Sequence, residues 1–138
     1  MRLILFAGLL LCSLACSTPK KASMTPNPLN GTWIPFSEEF GGMPLPPAAF
    51  ARQRLQLSDS TYTMNAESED KGTVTTNGNK MDIYGKEGVN AGKHFTAIWK
   101  FENDILTICY NLAGTGYPES FTTKGQAMYF MAIFRKEK

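Results

Sequence analysis

The sequence has few of the residues from which metal sites and most nucleophilic sites are built. It contains 138 residues, of which one is histidine and three are cysteine. A structural zinc site draws its four ligands mainly from these two residue types, and the ligands must converge on one point. We therefore predict that the protein holds no metal ion.

An excess of charge of one sign is also lacking. Lysine and arginine together number 14, against 12 for aspartate and glutamate. A nucleic-acid-binding face needs concentrated positive charge, so we predict no nucleic-acid partner. Apolar residues make up 43% of the chain and charged residues 19%, which is the balance of a folded domain rather than of a disordered chain.

No apolar run in the sequence approaches the ~20 residues that a membrane-spanning helix needs. The run at residues 3–11 follows the basic start Met1-Arg2 and precedes small residues. This order is typical of a secretory signal peptide. We predict that residues 1–15 are a signal peptide.

The segment after this predicted signal peptide begins with Cys16. Ala15, Cys16 and Ser17 resemble the lipobox of bacterial lipoproteins, in which a small residue precedes a cysteine that is lipidated and becomes the N-terminus. The resemblance implies a lipid on Cys16 that anchors the protein to a membrane of the bacterial cell envelope, and Ser17 favours the outer membrane. Residues 16–28 are then the lipidated cysteine and a flexible tether. A plain signal peptide cleaved after Ala15 is the alternative.

The rest of the sequence indicates neither a catalytic centre nor a cofactor. The nucleophile motif Gly-x-Ser-x-Gly is absent, and the single histidine, His94, is predicted to be solvated. Cys109 lies in an apolar stretch, and we predict that it is a buried small hydrophobic residue. The carboxylates of the polar connectors are also predicted to be solvated, and they are Glu38, Glu39, Glu67, Glu69 and Asp70.

From Gly31 onward, short β-rich runs alternate with turn residues. Eight strands are predicted, at residues 32–36, 54–58, 61–66, 71–76, 80–84, 94–102, 105–112 and 127–135. Turn sequences such as Asn77-Gly78 indicate antiparallel hairpins, and one short helix is predicted after Pro46. Because closure removes exposed strand edges, we predict an all-β domain at residues 29–138, an eight-stranded antiparallel up-and-down β-barrel. A two-sheet sandwich is the alternative.

Alternation along the predicted strands identifies the side chains that face the interior. Within residues 94–102, for example, Phe95, Ala97, Trp99 and Phe101 face in. An eight-stranded barrel either fills with side chains or holds one small ligand, and aromatic and methionine side chains suit an adaptable apolar pocket. The candidate ligand-binding residues are Trp33, Tyr62, Met64, Met81, Phe95, Trp99, Tyr110, Met128 and Phe130. The alternative is that the same side chains simply fill the core.

The last two predicted strands are apolar on both faces. The residues predicted to face outward there, which we call the outward stripe, are Ile105, Cys109, Tyr129, Met131 and Ile133. A large exposed apolar patch is either covered or used for docking. We predict that residues 43–50 fold over the outward stripe, and the alternative is a docking surface for a partner or the membrane.

Three stretches of the domain together resemble one family. Residues 29–33, with Gly31 and Trp33, are similar to the opening Gly-x-Trp of lipocalin-type barrels. The other two are residues 87–104, and residues 106–110 followed by 118–121 and a closing 134–138. In this order they resemble a family of uncharacterised bacterial domains described as lipocalin-like. The resemblance implies an eight-stranded barrel and brings no established activity.

The sequence therefore predicts a monomeric, lipid-anchored protein of the bacterial cell envelope with no catalytic centre. Its expected function is to bind a small apolar molecule, such as a lipid, inside the barrel. The alternative is a protein-interaction or inhibitor module with a solid core. Such a module would act on an envelope protein through the outward stripe or through residues 117–121.

Overall fold

The computed structural model describes residues 25–138 of the chain. The predicted signal peptide, Cys16 and the first part of the predicted tether lie outside the described residues. The described part forms the strands β1 (Gly31–Phe40), β2 (Met43–Pro44), β3 (Arg54–Ser58), β4 (Thr61–Asn65), β5 (Glu69–Asn77), β6 (Lys80–Glu87), β7 (His94–Glu102), β8 (Ile105–Asn111) and β9 (Tyr129–Lys136). The predicted short helix is a single 3-10 turn at Pro47–Ala49.

Eight of these strands close into an antiparallel up-and-down barrel. From β3 to β9 each strand pairs with the next one in the chain, and β1 pairs with both β3 and β9. Closure of this kind leaves no open sheet edge. The two-residue β2 is an addition, paired with the end of β1 through Pro44 and Glu39. The prediction of an eight-stranded all-β barrel is confirmed, and the sandwich is excluded.

The connections between strands give the barrel two different ends. At the hairpin end, three tight turns join β3 to β4, β5 to β6 and β7 to β8. Positive φ angles occur there at Asp59, Gly78, Asn103 and Asp104, as two-residue hairpin turns require. The loop end carries the longer connectors, residues 41–53, 66–68, 88–93 and 112–128.

The hairpin end of the barrel is filled by side chains around Trp33. Trp33 has no exposed surface, and its Nε1 donates a hydrogen bond of 2.8 Å to the carbonyl oxygen of Leu29. Phe101 packs edge-on against the indole at 5.8 Å between ring centroids. The Nζ of Lys136 lies 5.3 Å from the indole centroid. This packing makes the core solid at the end where β1 begins.

A β-bulge in β1 changes which side chains face the interior. The bulge lies after Pro35, at Phe36, and the extra residue shifts the in–out alternation by one position. Phe36 is therefore 41% exposed, whereas Glu38 is only 4% exposed. Glu38 pairs with Ala132, a member of the hydrophobic core. The prediction that Glu38 is solvated is wrong, because β1 continues to Phe40 instead of ending at residue 36, and the bulge turns Glu38 inward.

The connector 112–128 covers the outer faces of β7 and β8. Thr96, on the outer face of β7, donates a hydrogen bond to the carbonyl oxygen of Gly116. Thr123 of the connector is fully buried and donates a hydrogen bond to the carboxylate of Glu39. Cys109, on the outer face of β8, has no exposed surface. The predicted burial of Cys109 is confirmed, and a segment of this connector supplies its cover.

Residues 43–50 do not cover the outward stripe, so that prediction is wrong. They form β2 and the 3-10 turn instead, and Met43 is 71% exposed. The connector 112–128 takes their place because it leaves β8 and returns to β9, so it lies beside the stripe. The other members of the stripe are half-buried, and they are Ile105, Tyr129, Met131 and Ile133.

Candidate functional site

The barrel interior contains a cavity of about 160 Å³ between its middle and the loop end. The cavity is lined by Leu55, Leu57, Tyr62, Met64, Asp70, Val74, Met81, Ile83, Asn90, Phe95, Ile108, Tyr110, Leu112 and Phe130. All but a few of these side chains are aliphatic or aromatic. An apolar cavity of roughly 150 Å³ accepts a molecule the size of benzene, so this interior offers room for a small apolar group.

Six of the nine candidate ligand-binding residues line this cavity, and they are Tyr62, Met64, Met81, Phe95, Tyr110 and Phe130. Trp33 and Trp99 lie elsewhere in the core. Met128 is 48% exposed and precedes β9, so the prediction that it faces the interior is wrong. Its carbonyl oxygen instead accepts a hydrogen bond from the backbone of Leu112, which places Met128 in the connector rather than in the strand.

Asp70 is the lining residue that sequence reasoning missed most clearly. It is 5% exposed, and the prediction that it is solvated is wrong. Its carboxylate accepts hydrogen bonds from the hydroxyl of Tyr62 at 3.0 Å, the backbone N–H of Asn90 at 3.1 Å and the side-chain amide of Asn90 at 2.9 Å. The sequence pattern of β5 could have indicated this burial, because alternate residues of a strand share one face. Asp70, Gly72 and Val74 alternate in this way and are all buried.

The carboxylate of Asp70 fixes the connector 88–93 against the barrel. Gly88 has a φ of +87°, and a Cβ on it would lie 2.5 Å from the carbonyl oxygen of Glu69 and 2.9 Å from the Cα of Asp70. Only glycine fits so close to β5 in that conformation.

Burial, together with the neighbouring carboxylate of Asp70, raises the pKa of Tyr62. Tyr62 therefore remains a neutral hydrogen-bond donor.

Glu38 is the second carboxyl group inside the barrel. Burial raises its pKa from 4.5 to about 7, and a hydrogen bond with the side chain of Gln53 offsets part of that increase. Burial also raises the pKa of Tyr110, and the charge of Glu38 adds to the effect. A carboxyl group in such surroundings is protonated over much of the acidic range, since the neutral form avoids the loss of hydration.

The buried Glu38 predicts that the protein becomes less stable as the pH rises from about 4.5 to 7. The pKa of Glu38 is raised in the folded state. Its contribution to stability is therefore fully present below pH 4.5, and it is lost as the pH passes about 7. The free energy of unfolding should fall by about 3 kcal/mol over this interval. Urea unfolding at several pH values measures the change.

Glu38→Gln should remove this pH dependence, because the amide stays neutral. Glu67→Gln is the matched control, since the Glu67 side chain is 90% exposed. An equally steep fall in stability in the Glu38→Gln variant would contradict the assignment.

His94 belongs to a polar cluster on the outer face of β6 and β7. Its Nε2 lies 2.7 Å from one carboxylate oxygen of Asp82, and the hydroxyl of Tyr117 donates a hydrogen bond of 2.6 Å to the other. The ring of Tyr84 stacks on the imidazole at 4.4 Å between centroids. The hydrogen bond from Tyr117 and the contact with His94 hold the pKa of Asp82 below its usual value.

This cluster attaches the connector 112–128 to the barrel. Tyr117 comes from the connector, whereas Asp82 and His94 come from β6 and β7. The prediction that His94 is solvated is only partly right, since its side chain is 37% exposed and paired with Asp82. The cavity lies on the other side of the sheet, so the cluster does not touch it. The hydrogen bonds within the cluster join the connector to the barrel, and this structural role accounts for its polar groups.

The thiol of Cys109 has the surroundings of an inert cysteine. Burial is the largest influence on its pKa, which is raised to about 11, and the charge of Glu39 adds to the effect. The thiolate is the nucleophilic form of cysteine, so this environment suppresses reactivity.

Residues 25–138 contain no group of three or more histidine, cysteine, aspartate or glutamate side chains placed to hold a metal ion. Over the same residues, no helix is long and apolar enough to cross a membrane. Comparisons with protein-family models, with curated proteins and with solved structures find no match to this chain. The lipocalin-like resemblance therefore remains a prediction, whereas the barrel fold is shown by the pairing of its strands.

Proposed function

We propose that this domain is a non-catalytic binding module that holds one small, largely apolar molecule inside the barrel. The observation that carries the proposal is the cavity of about 160 Å³ beside a hairpin end that is packed solid. A cavity of this size lowers stability by about 4 kcal/mol relative to a filled core. A barrel this small is expected to keep such a cavity if it binds a ligand there, and to fill it with side chains if it does not. We call the proposed ligand-binding role the container function.

The lining favours a ligand with a flat ring or a short branched chain. Tyr62, Phe95, Tyr110 and Phe130 offer aromatic faces and edges, which pack well against other rings. Met64 and Met81 are flexible and polarizable, so they can adjust to the shape of the occupant. The volume is below the ~300 Å³ of a pocket for drug-sized molecules, which limits the occupant to roughly the size of one ring or the end of an acyl chain.

We further propose that the barrel is tethered to an envelope membrane through a lipid on Cys16, and that it acts as a monomer. The chain joins the barrel at the hairpin end, where β1 begins at Gly31. The lipid would therefore be attached at the hairpin end of the barrel, which is the end away from the cavity.

The alternative function, a protein-interaction module acting through the outward stripe, has less support. The connector 112–128 covers Cys109, and the other four residues of the stripe are half-buried. That alternative requires a solid core, whereas the interior contains a cavity of about 160 Å³. Residues 117–121 remain the surface through which such a module would act, and pull-down of envelope proteins with the barrel as bait tests it.

Native mass spectrometry tests the container directly. All strands of the described part of the chain lie within residues 31–136, so a form starting at residue 25 keeps the whole barrel. This form would be exported to a bacterial periplasm and purified without detergent. We expect a stoichiometric extra mass that disappears on denaturation. A bare monomer mass that also takes up none of a panel of small aromatic and aliphatic compounds would contradict the proposal.

Val74→Phe should weaken binding without unfolding the barrel. Val74 is 4% exposed and lines the cavity, so a phenyl ring at this position occupies the space of the ligand. We expect the affinity for the ligand to fall at least tenfold, which is roughly 1.4 kcal/mol or more of binding free energy. The free energy of unfolding should change by less than about 1 kcal/mol, since the new ring fills space rather than displacing neighbours.

Thr75→Phe is the matched control for the cavity-filling variant, because Thr75 is the exposed neighbour of Val74 on the outer face of β5. It adds the same ring outside the barrel and should leave occupancy unchanged. Retained binding in the Val74→Phe variant would show that the bound molecule lies elsewhere.

A further inference from the structure

Asp70 is a buried carboxylate without a cationic partner. Its hydrogen-bond donors, Tyr62 and Asn90, are both neutral. Among residues 25–138, the ion pairs with nitrogen to oxygen distances within 4.0 Å do not include Asp70. A buried charge is normally paired with an opposite one, because burial removes its hydration. Three hydrogen bonds from neutral groups hold the Asp70 carboxylate, and no cation among the described residues offsets its charge.

The cavity next to Asp70 has the composition of a site for a positive charge. Asp70 is the one charged residue among the lining residues, and no lysine, arginine or histidine lines the cavity. Tyr62, Phe95, Tyr110 and Phe130 present aromatic rings, whose faces attract cations. A ligand carboxylate or phosphate would instead meet the field of Asp70 with no basic group to offset it. The interior thus disfavours anions even where their apolar part fits.

We propose that the occupant of the cavity is a small organic cation, with a protonated amine against Asp70 and its apolar body among the aromatic side chains. The inference rests on the proposed container function and specifies its ligand class. It excludes free fatty acids as the preferred occupant, although their chains match the apolar lining. The amine would take the remaining acceptor capacity of the Asp70 carboxylate, and the ring or chain would fill the 160 Å³ space.

A series of three probes with the same ring tests the sign of the ligand charge. Benzylamine, benzyl alcohol and benzoate are titrated at neutral pH into the soluble barrel of residues 25–138, and binding is followed by NMR. We expect benzylamine to bind about tenfold or more tightly than benzyl alcohol, because a hydrogen bond to a charged group is the stronger kind. Benzoate should bind more weakly than both. The amide signal of Asn90, which contacts Asp70, should shift on binding.

Asp70→Asn removes the charge and keeps the shape of the side chain. Benzylamine should then lose its advantage over benzyl alcohol. Asp104→Asn is the matched control, since Asp104 is exposed in the turn between β7 and β8 and has a positive φ that asparagine accepts. This control should keep the full preference for the amine.

The unmodified barrel with the three probes decides the question even if Asp70→Asn fails to fold. Equal affinity for all three probes, or strongest binding of benzoate, would overturn the cation assignment and leave the container intact. Binding of none of them, together with no retained mass after purification, would overturn the container as well. Retention of the amine preference in a folded Asp70→Asn variant would also overturn the role of Asp70.

Discussion

Trp33→Phe is expected to lower the free energy of unfolding by about 2–4 kcal/mol, whereas Trp99→Phe should change it by less than about 1 kcal/mol. The two substitutions remove the same atoms. They differ because Nε1 of Trp33 donates to the carbonyl oxygen of Leu29, while Nε1 of Trp99 is buried with no acceptor among the described residues.

The difference follows from hydrogen-bond satisfaction. In Trp33→Phe, the barrel loses packed volume and leaves the buried carbonyl of Leu29 without its donor, and both changes are unfavourable. In Trp99→Phe, the lost volume is offset by removal of an N–H group whose burial without a partner costs about 1–3 kcal/mol. Trp99 is also less buried than Trp33, so less packing is lost.

Equilibrium unfolding in urea of the soluble barrel measures both values. The unchanged protein and the two variants should share one slope against urea concentration, so that only the midpoint moves. Equal losses of stability in the two variants would contradict the explanation. Such a result would mean that packing alone, and not the hydrogen bond of Trp33, decides the effect.

Gly85→Ala should strongly destabilise the barrel, with a loss of about 3 kcal/mol or more in the free energy of unfolding. A Cβ on Gly85 would lie 1.8 Å from the carbonyl oxygen of Asn90 and 3.2 Å from the backbone nitrogen of Ala91. The connector 88–93 would have to move away from β6. Asn90 would then lose its two hydrogen bonds to Asp70.

Gly92→Ala in the same connector is the matched control. A Cβ on Gly92 meets nothing within 4 Å, but its φ is +79°, so the variant should lose only about 1–2 kcal/mol. Limited proteolysis with trypsin reports movement of the connector, because Lys93 is its last residue before β7. Cleavage after Lys93 should accelerate in Gly85→Ala far more than in Gly92→Ala. Similar cleavage rates in both variants would contradict the clash.

Much of the barrel could be predicted from local patterns. All eight predicted strands overlap the eight barrel strands, because alternation of apolar and polar side chains and positive-φ turn residues act within a few positions of the chain. Asn103 and Asp104, for example, have φ angles of 52° and 62°. The same alternation placed Tyr62, Met64, Met81, Phe95, Tyr110 and Phe130 toward the interior, where they line the cavity.

Prediction failed where a residue's surroundings come from distant parts of the chain. β2 has two residues, too few for alternation to be visible. The cover of Cys109 in the outward stripe depends on which connector lies across β8, and residues 43–50 and 112–128 are both long enough. Met128 was predicted to lie in a strand that begins at residue 127, whereas β9 begins at Tyr129. This error in the strand boundary led to an exposed side chain being predicted to line the interior.

The sequence by itself thus determined the strands, their antiparallel order and most of the apolar lining. Only the tertiary structure decided that Glu38 faces the interior, through a bulge, and that Tyr62 and Asn90 supply the hydrogen bonds to the buried carboxylate of Asp70. The physical reason is that strand and turn preferences are local. The burial of a charge, and the size of the space left beside it, depend on all the strands that close around it.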